Sequence, residues 1–172
     1  MQNFKIGDPL DSSTEIGPLA RKDLLESLHK QVLDTINSGA KCIIGGKPLK
    51  QAGFFYPATI LTDVTKDMEA YKEELFGPVA IIIKAKSNDE AINIANDSLY
   101  GLGAAIFSND IKKAESIAKK ELQAGTCCVN TLVKSDPKFA FGGIKQSGYG
   151  RELGKFGMHE FVNIKTVHVY KP

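Results

Sequence analysis

Several residue types and patterns that would indicate a particular kind of protein are missing from this sequence of 172 residues. Tryptophan is absent, and three cysteines are too few for the disulfide framework of a small secreted domain. No uninterrupted apolar run approaches the roughly 18 residues that span a bilayer. The first residues, MQNFKIGDPLD, contain no signal-peptide core. We therefore expect a cytoplasmic protein that is not inserted in a membrane.

An excess of charge of one sign is also missing. The net charge is +2, and lysines and arginines alternate with acidic residues throughout the chain. Nucleic acid or an anionic membrane surface would find no basic face to bind. The phosphate-binding loop of nucleoside triphosphatases is not matched either, because Lys145 precedes Ser147 and a glycine follows them.

The cysteines and histidines do not indicate a metal site. Cys127 and Cys128 are adjacent, so they point to opposite sides of a strand, and no C-x-x-C spacing occurs with histidines nearby. We interpret these two residues and Cys42 as reduced thiols in strands. A reactive thiol at Cys127 or Cys128 is a weaker interpretation, which alkylation at neutral pH would test.

The most unusual stretch is residues 136–153, DPKFAFGGIKQSGYGREL, which combines four glycines with three aromatic residues. Glycine at this density favours an irregular loop over a helix or strand. A loop that carries aromatic rings is typical of a pocket wall, since binding residues concentrate on loops held by a rigid scaffold. The alternative, a surface connection whose rings fill the edge of the core, is slightly favoured by composition alone.

The first half of the chain predicts a helix and two strands. Apolar residues recur at helical intervals from Arg21 to the helix stop at Gly39, and a short strand follows at residues 41–46. Residues 53–64 are aromatic and β-branched, which predicts a second strand. Pro57 within it indicates an edge strand or a bulge, because proline cannot donate to the ladder.

The second half alternates buried strands with amphipathic helices. Strands are predicted at residues 79–85, 103–108 and 126–130, and the helices between them are capped by Ser87 with Glu90 and by Asp110. This order predicts an α/β fold in which a parallel βαβαβ sheet is covered by helices. Ligands bind beyond the carboxyl ends of such strands. The last strand leads directly into the glycine loop, which favours the pocket interpretation.

The end of the chain predicts a strand that pairs between subunits. Residues 161–170, FVNIKTVHVY, are β-branched and extended, and a bare edge of this composition invites pairing with another chain. We therefore divide the chain into a domain at residues 1–160 and an oligomerisation strand at residues 161–172. A homo-oligomer is the predicted assembly.

Seven motifs along the chain carry a family resemblance. They are IGDPLD (6–11) with IGPL (16–19), GFFYPATIL (53–61), EELFGPV (73–79), NDSLYGLGAAIFS (96–108), GTCCVN (125–130), FGGIKQSGYGRELG (141–154) and FVNIKTV (161–167). In this order and spacing they resemble the C-terminal part of the aldehyde dehydrogenase superfamily. The VKSDP sequence before the glycine loop is most similar to the succinate-semialdehyde dehydrogenase branch. The resemblance implies a truncated catalytic domain of that family.

The resemblance also implies roles for four side chains. In the family, the residue matching Glu74 accepts hydrogen bonds from the nicotinamide ribose, and the residue matching Phe76 packs near the nicotinamide ring. Phe141 matches an aromatic residue of the aldehyde channel. Ser135 matches a position that helps to hold the distal carboxylate of semialdehydes, although a turn residue beside Asp136 is an equal alternative. The family usually has proline where this chain has Ala140.

The catalytic residues of the family are not matched in this chain. Family chemistry uses a cysteine thiolate, NAD or NADP as hydride acceptor, and a glutamate that activates water. Cys42, Cys127 and Cys128 do not match that nucleophile, so we predict no catalytic residue here, an absent cofactor-binding domain and an inactive isolated chain. A complementing N-terminal half is the expected partner. The competing hypothesis is a non-catalytic module that oligomerises or binds a partner.

Overall fold

The computed structural model describes residues 3–171, which form two compact units that meet between Ala85 and Lys86. The first unit contains α1 (Lys22–Asn37), β1 (Lys41–Ile44), β2 (Thr59–Thr62), α2 (Glu69–Lys72) and β3 (Val79–Ile82). The second unit contains α3 (Asn88–Asn96), β4 (Tyr100–Gly101), β5 (Gly103–Ile106), α4 (Ile111–Lys120), β6 (Thr126–Val129), β7 (Ile144–Lys145) and α5 (Gly154–His159). The predicted division after residue 160 stays a prediction.

The first unit has a well-formed hydrophobic core. The helical spacing of α1 places Leu28 and Val32 on one face, and both side chains are buried. They belong to one cluster with Tyr56 and with Leu61 of β2. Burying each large apolar side chain stabilises the fold by about 1.5–3 kcal/mol. The helix predicted from residue 21 onward is therefore confirmed, and this face is the reason it forms.

Two buried threonines connect the elements of this core. Thr35 of α1 donates from Oγ1 to the Gln31 carbonyl at 2.7 Å and accepts from the Ala70 amide at 3.0 Å, which joins α1 to α2. Thr59 of β2 accepts from the Gly46 amide at 2.9 Å. Both hydroxyls form hydrogen bonds, so their burial does not incur the free-energy cost of an unsatisfied polar group.

The sheet of the first unit differs from the prediction for residues 53–64. The strand order is β1-β2-β3, so β2 is the central strand, antiparallel to β1 and parallel to β3. Pro57 does not mark an edge strand, because it lies before the strand begins at Thr59. The proline therefore costs the ladder no hydrogen bond, and the expected edge position was wrong.

The helix starts predicted for the second unit are confirmed. The Ser87 side chain accepts from the Glu90 amide at 3.1 Å, and the Asp110 side chain accepts from the Lys113 amide at 3.0 Å. Each bond satisfies one of the amides that the first turn of a helix leaves unpaired.

The predicted three-stranded parallel βαβαβ sheet is confirmed only in part. β5 and β6 pair in parallel with α4 as the crossover, whereas β3 pairs with β2 in the ladder of the first unit. Within residues 3–171 the strand β3 forms no described ladder with β5. Sequence periodicity identifies buried strands but carries no information about which strands pair, and this is why the prediction failed.

The second unit buries few apolar side chains. Among its described residues, Ala114 is the one apolar side chain that is fully buried, whereas the remaining buried apolar residues all belong to the first unit. Phe107, Ile111 and Leu132 each expose more than half of their surface. The second unit therefore has the secondary structure of an α/β layer without a closed core of its own.

No strand forms at residues 161–170, where an oligomerisation strand was predicted. The described residues from Phe161 to Lys171 have no ladder partner, and their side chains are exposed. A strand needs a neighbour to pair with, and within the described chain this segment finds none. None of the described helices is both long and apolar enough to cross a membrane.

Candidate functional site

The segment 73–78 of the first unit presents two side chains to solvent. Leu75 packs on the hydrophobic core, and its two neighbours, Glu74 and Phe76, are exposed. The Gly77 amide bonds the Leu75 carbonyl at 2.8 Å, and the Pro78 carbonyl accepts from the Thr59 amide at 2.9 Å. The turn is thus attached to β2, and its shape places Glu74 and Phe76 outward.

These two side chains offer a ligand a hydrogen-bond acceptor and an apolar face. The Glu74 carboxylate forms no described hydrogen bond or ion pair within residues 3–171, so it is free to accept hydrogen bonds from a ligand. The Phe76 ring is 76% exposed and offers a flat apolar face. An aromatic ring left this exposed loses the stabilisation that burial would give it, which a flat ligand ring would restore.

The glycine loop of the second unit is closed by backbone and side-chain hydrogen bonds. Phe141 and Glu152 form an antiparallel bridge with two bonds of 2.7 Å. The Arg151 guanidinium donates to the carbonyls of Gly143 at 2.8 Å and Gly150 at 2.7 Å. The loop is therefore a folded unit rather than a flexible connection.

A cavity of about 450 Å³ lies against this loop, and Phe141 and Arg151 are in its wall. This supports the pocket interpretation over the surface connection. The other two aromatic rings of the loop are not packed, because Tyr149 is fully exposed and Phe139 is largely so. Phe141 is the half-buried ring of the three.

Ser135 does not lie in the wall of this cavity. It is exposed, it precedes the turn in which the Phe139 amide bonds the Asp136 carbonyl at 3.0 Å, and its hydroxyl has no described hydrogen-bond partner. Glu74 and Phe76 belong to the first unit, whereas Ser135 and Phe141 belong to the second. Glu74 and Phe76 lie close together on one segment of the first unit, and Phe141 lies in the wall of the cavity beside the glycine loop.

Sequence reasoning did not assign roles to two residues that fix the loop. Lys145 donates to the carbonyls of Asn96 and Ser98, and the Ser147 hydroxyl accepts from the Gly101 amide at 3.0 Å. Lysine and serine between glycines were visible in the sequence, but spacing alone does not reveal which distant carbonyl or amide they bond. The β4-β7 pairing that brings them together is only two residues long.

Neither Cys127 nor Cys42 is arranged as an activated nucleophile. Burial raises the pKa of the Cys127 thiol, which disfavours the thiolate. The Cys42 thiol lies 3.2 Å from the Ile44 carbonyl, to which it donates. Among the described residues no group of three or more histidine, cysteine or acidic side chains is placed to hold a metal ion.

Comparison with known proteins assigns this α/β chain to a family. The family model for the aldehyde dehydrogenase family matches residues 1–167. The chain is 48% identical over 164 residues to the succinate semialdehyde dehydrogenase [NAD(P)+] Sad of Escherichia coli (strain K12), covering 95% of this chain and 35% of that protein. The chain therefore belongs to the aldehyde dehydrogenase family.

Two solved structures show the same fold. The succinic semialdehyde dehydrogenase from Streptococcus pyogenes in complex with NADP+ matches with a TM-score of 0.94 and 38% identity, over 99% of this chain and 37% of that one. The Mycobacterium tuberculosis aldehyde dehydrogenase complexed with NAD+ matches with a TM-score of 0.87 and 35% identity, over 93% of this chain and 33% of that one. The predicted cofactor class, NAD or NADP, is confirmed for these relatives.

The predicted place of the chain within the family is corrected by these comparisons. The chain spans about a third of the length of its relatives, and the matched 35% of the relative is assigned to its N-terminal part, not to the C-terminal part that the motifs indicated. Similar motifs established the family and the succinate-semialdehyde branch, but they did not fix the position of the segment. The predicted complementing partner is not tested by these comparisons and stays a prediction.

The glycine loop lies so close to Gly125, the residue before β6, that a methyl group added at Gly125 should displace the loop. A Cβ at Gly125 would lie 1.8 Å from the Gly142 carbonyl oxygen, whereas a Cβ at Gly150 would meet nothing within 4 Å. We predict that Gly125→Ala lowers the free energy of unfolding by about 1–3 kcal/mol or more. Gly150→Ala should change it by less than about 0.5 kcal/mol. Urea unfolding followed by circular dichroism measures both, and equal effects would contradict the close approach.

Proposed function

We propose that this chain supplies part of the cofactor and substrate site of an NAD(P)-dependent succinate-semialdehyde dehydrogenase, which oxidises the aldehyde to a carboxylic acid. The observation that carries the proposal is the 48% identity to a succinate semialdehyde dehydrogenase over 95% of the chain. The exposed Glu74 and Phe76 and the cavity beside Phe141 are compatible with it, because they leave these side chains accessible to a ligand. The cytoplasmic location stays a prediction.

Each of the four residues has one task in this proposal. Glu74 accepts hydrogen bonds from the nicotinamide ribose, and Phe76 packs beside the nicotinamide ring. Phe141 forms an apolar wall for the aldehyde, and the Ser135 hydroxyl donates to the distal carboxylate of the substrate. NAD or NADP, when bound, supplies the hydride acceptor. A hydrogen bond to a charged acceptor contributes about 1.5–3 kcal/mol, so Ser135 favours a semialdehyde over a neutral aldehyde.

The isolated chain should be inactive. The proposal requires a thiolate to attack the aldehyde, and the raised pKa of Cys127 and the hydrogen-bonded thiol of Cys42 do not provide one. In a serine protease, loss of the covalent nucleophile lowers turnover by a factor on the order of 10⁶. Activity therefore requires a complementing segment that carries the other two thirds of a relative's length.

Mixing the chain with that complementing segment tests the proposal. We expect the segment of the Escherichia coli relative that this chain does not match to restore reduction of NAD+ or NADP+ by succinate semialdehyde. Butanal, which has the same carbon number but lacks the carboxylate, should be a poorer substrate. A stable complex without activity, or activity of the chain alone, would contradict the proposal.

Two glutamates provide the matched control. Glu74→Gln should lower kcat/KM of the complex by about 10- to 100-fold, because the hydrogen bonds to the ribose lose their charged acceptor. Glu73→Gln removes the neighbouring exposed carboxylate, for which no role is proposed, and should leave kcat/KM unchanged. Equal effects of the two substitutions would remove the role of Glu74.

The alternative function is a non-catalytic module that oligomerises through its tail. Two observations favour it: the apolar side chains of residues 161–170 are exposed, and the second unit lacks a closed core. Exposed apolar patches above a few hundred Å² generally mark interfaces. Homo-oligomerisation through this tail is compatible with the enzymatic proposal as well.

Deleting residues 161–172 tests the tail. We expect the full chain to sediment as an oligomer and the shortened chain to sediment as a smaller species, because the extended tail loses its pairing partner in the other copy. Analytical ultracentrifugation over a range of concentrations measures this. A full chain that stays monomeric at high concentration would contradict the oligomeric tail.

A further inference from the structure

We propose that Lys145 is a positioning residue: its ammonium group fixes the glycine loop that carries Phe141 to the end of α3. This inference rests on the proposed function only for the task of Phe141. The clamp itself is argued from hydrogen bonds and backbone geometry within the second unit. Glycine would adopt the backbone conformation of residue 145 more easily than lysine does, so the presence of lysine requires a physical explanation.

The Lys145 ammonium bonds two backbone carbonyls at the C-terminal end of α3. Its Nζ lies 2.8 Å from the Asn96 oxygen and 2.9 Å from the Ser98 oxygen. The last carbonyls of a helix lack intrahelical partners and carry the negative end of the helix dipole, so a cation there is favourable. The lysine reaches across 49 residues of sequence for the first of these contacts.

The backbone of Lys145 gives a second, independent reason. Its φ is +55°, in the left-handed region that residues with a side chain rarely adopt. Glycine would relieve this cost, and the loop already contains glycine at four nearby positions. Backbone strain of this kind persists where the surrounding contacts enforce it. Lys145 keeps this strained backbone conformation and forms two hydrogen bonds to the end of α3, as expected of a residue that fixes the loop.

The clamp connects the loop to the strands of the second unit. The Asn96 side chain donates to the Glu121 carbonyl and accepts from the Gln123 amide, both at 2.8 Å. Lys145 also pairs with Tyr100 across the β4-β7 ladder, and the Gln146 amide bonds the Leu99 carbonyl at 2.9 Å. Loss of the ammonium group therefore removes the two side-chain bonds between the loop and the end of α3, and leaves the short β4-β7 ladder to hold this part of the loop.

Amide hydrogen exchange of the chain tests the clamp without any enzyme assay. In Lys145→Met the strained backbone stays but the cation and its two charge-assisted bonds are lost, so the amides of Gly101 and Gln146 should exchange at least about tenfold faster. Lys145→Arg keeps the cation and should retain most of the protection. Lys138→Met is the matched control, because the Lys138 ammonium makes no described hydrogen bond, and it should change nothing.

Lys145→Gly removes both the side chain and the backbone strain, so its comparison with Lys145→Met separates the two effects. We expect the amides of Gly101 and Gln146 to exchange as fast in Lys145→Gly as in Lys145→Met. Protection equal to that of the unsubstituted chain in Lys145→Gly or Lys145→Met, or equal loss in Lys138→Met, would overturn the proposal. The amides of α1 report on the other unit, so unfolding of the whole chain would be detected there.

The complemented enzyme gives the functional readout. Lys145→Met should raise KM for succinate semialdehyde more than it lowers kcat, because Phe141 lines the aldehyde path rather than the reacting atoms, and Lys145→Arg should restore KM. A change in kcat alone would contradict the positioning role. If the unsubstituted mixture shows no activity, the proposed function fails, whereas the exchange experiment still decides whether Lys145 is a clamp.

Discussion

Burial of apolar side chains is the constraint on which the rest of this structure depends, and it is met unevenly along the chain. The first unit closes its core around α1 and β2, with Leu28, Val32 and Leu61 almost inaccessible. The second unit has comparable secondary structure, but most of its large apolar side chains face solvent. An apolar cavity of about 300 Å³ opens beside Ile92 and Ile117 on the same unit. Burial of apolar area stabilises a protein by about 25 cal/mol per Å², and the exposed apolar surface of the second unit lacks this stabilisation.

The candidate site follows from how each unit meets that constraint. In the first unit the half-buried Leu75 packs on the core, and Glu74 and Phe76 on either side of it face outward. In the second unit hydrogen bonds take the place of a core: the Arg151 contacts, the Phe141–Glu152 bridge and the Lys145 ammonium contacts hold the glycine loop. Polar bonds of this kind define a shape even where apolar burial is small. A binding surface can therefore exist before the rest of an enzyme covers it.

Local signals in the sequence predicted the local structure well. The caps at Ser87 and Asp110 and the helical stripe of α1 were predictable, because each depends on residues three or four positions apart. The ladder partner of β3, the unpaired tail and the bonds of Lys145 were not, because pairing depends on residues that are far apart in sequence. The family could be recognised from its motifs, whereas the position of the segment within the family was predicted wrongly. The roles of Glu74 and Ser135 rest on the resemblance, since their residue types alone are common on surfaces.

The proposed function requires that the chain associate with the rest of an aldehyde dehydrogenase, and we propose the open apolar surface of the second unit for that contact. Isothermal titration calorimetry of the chain with the complementing segment of a relative, at several temperatures, tests it most directly. Burial of apolar surface gives a negative heat-capacity change on binding. The account predicts association with a large negative heat-capacity change. Absence of association, or association with a heat-capacity change near zero, would contradict it.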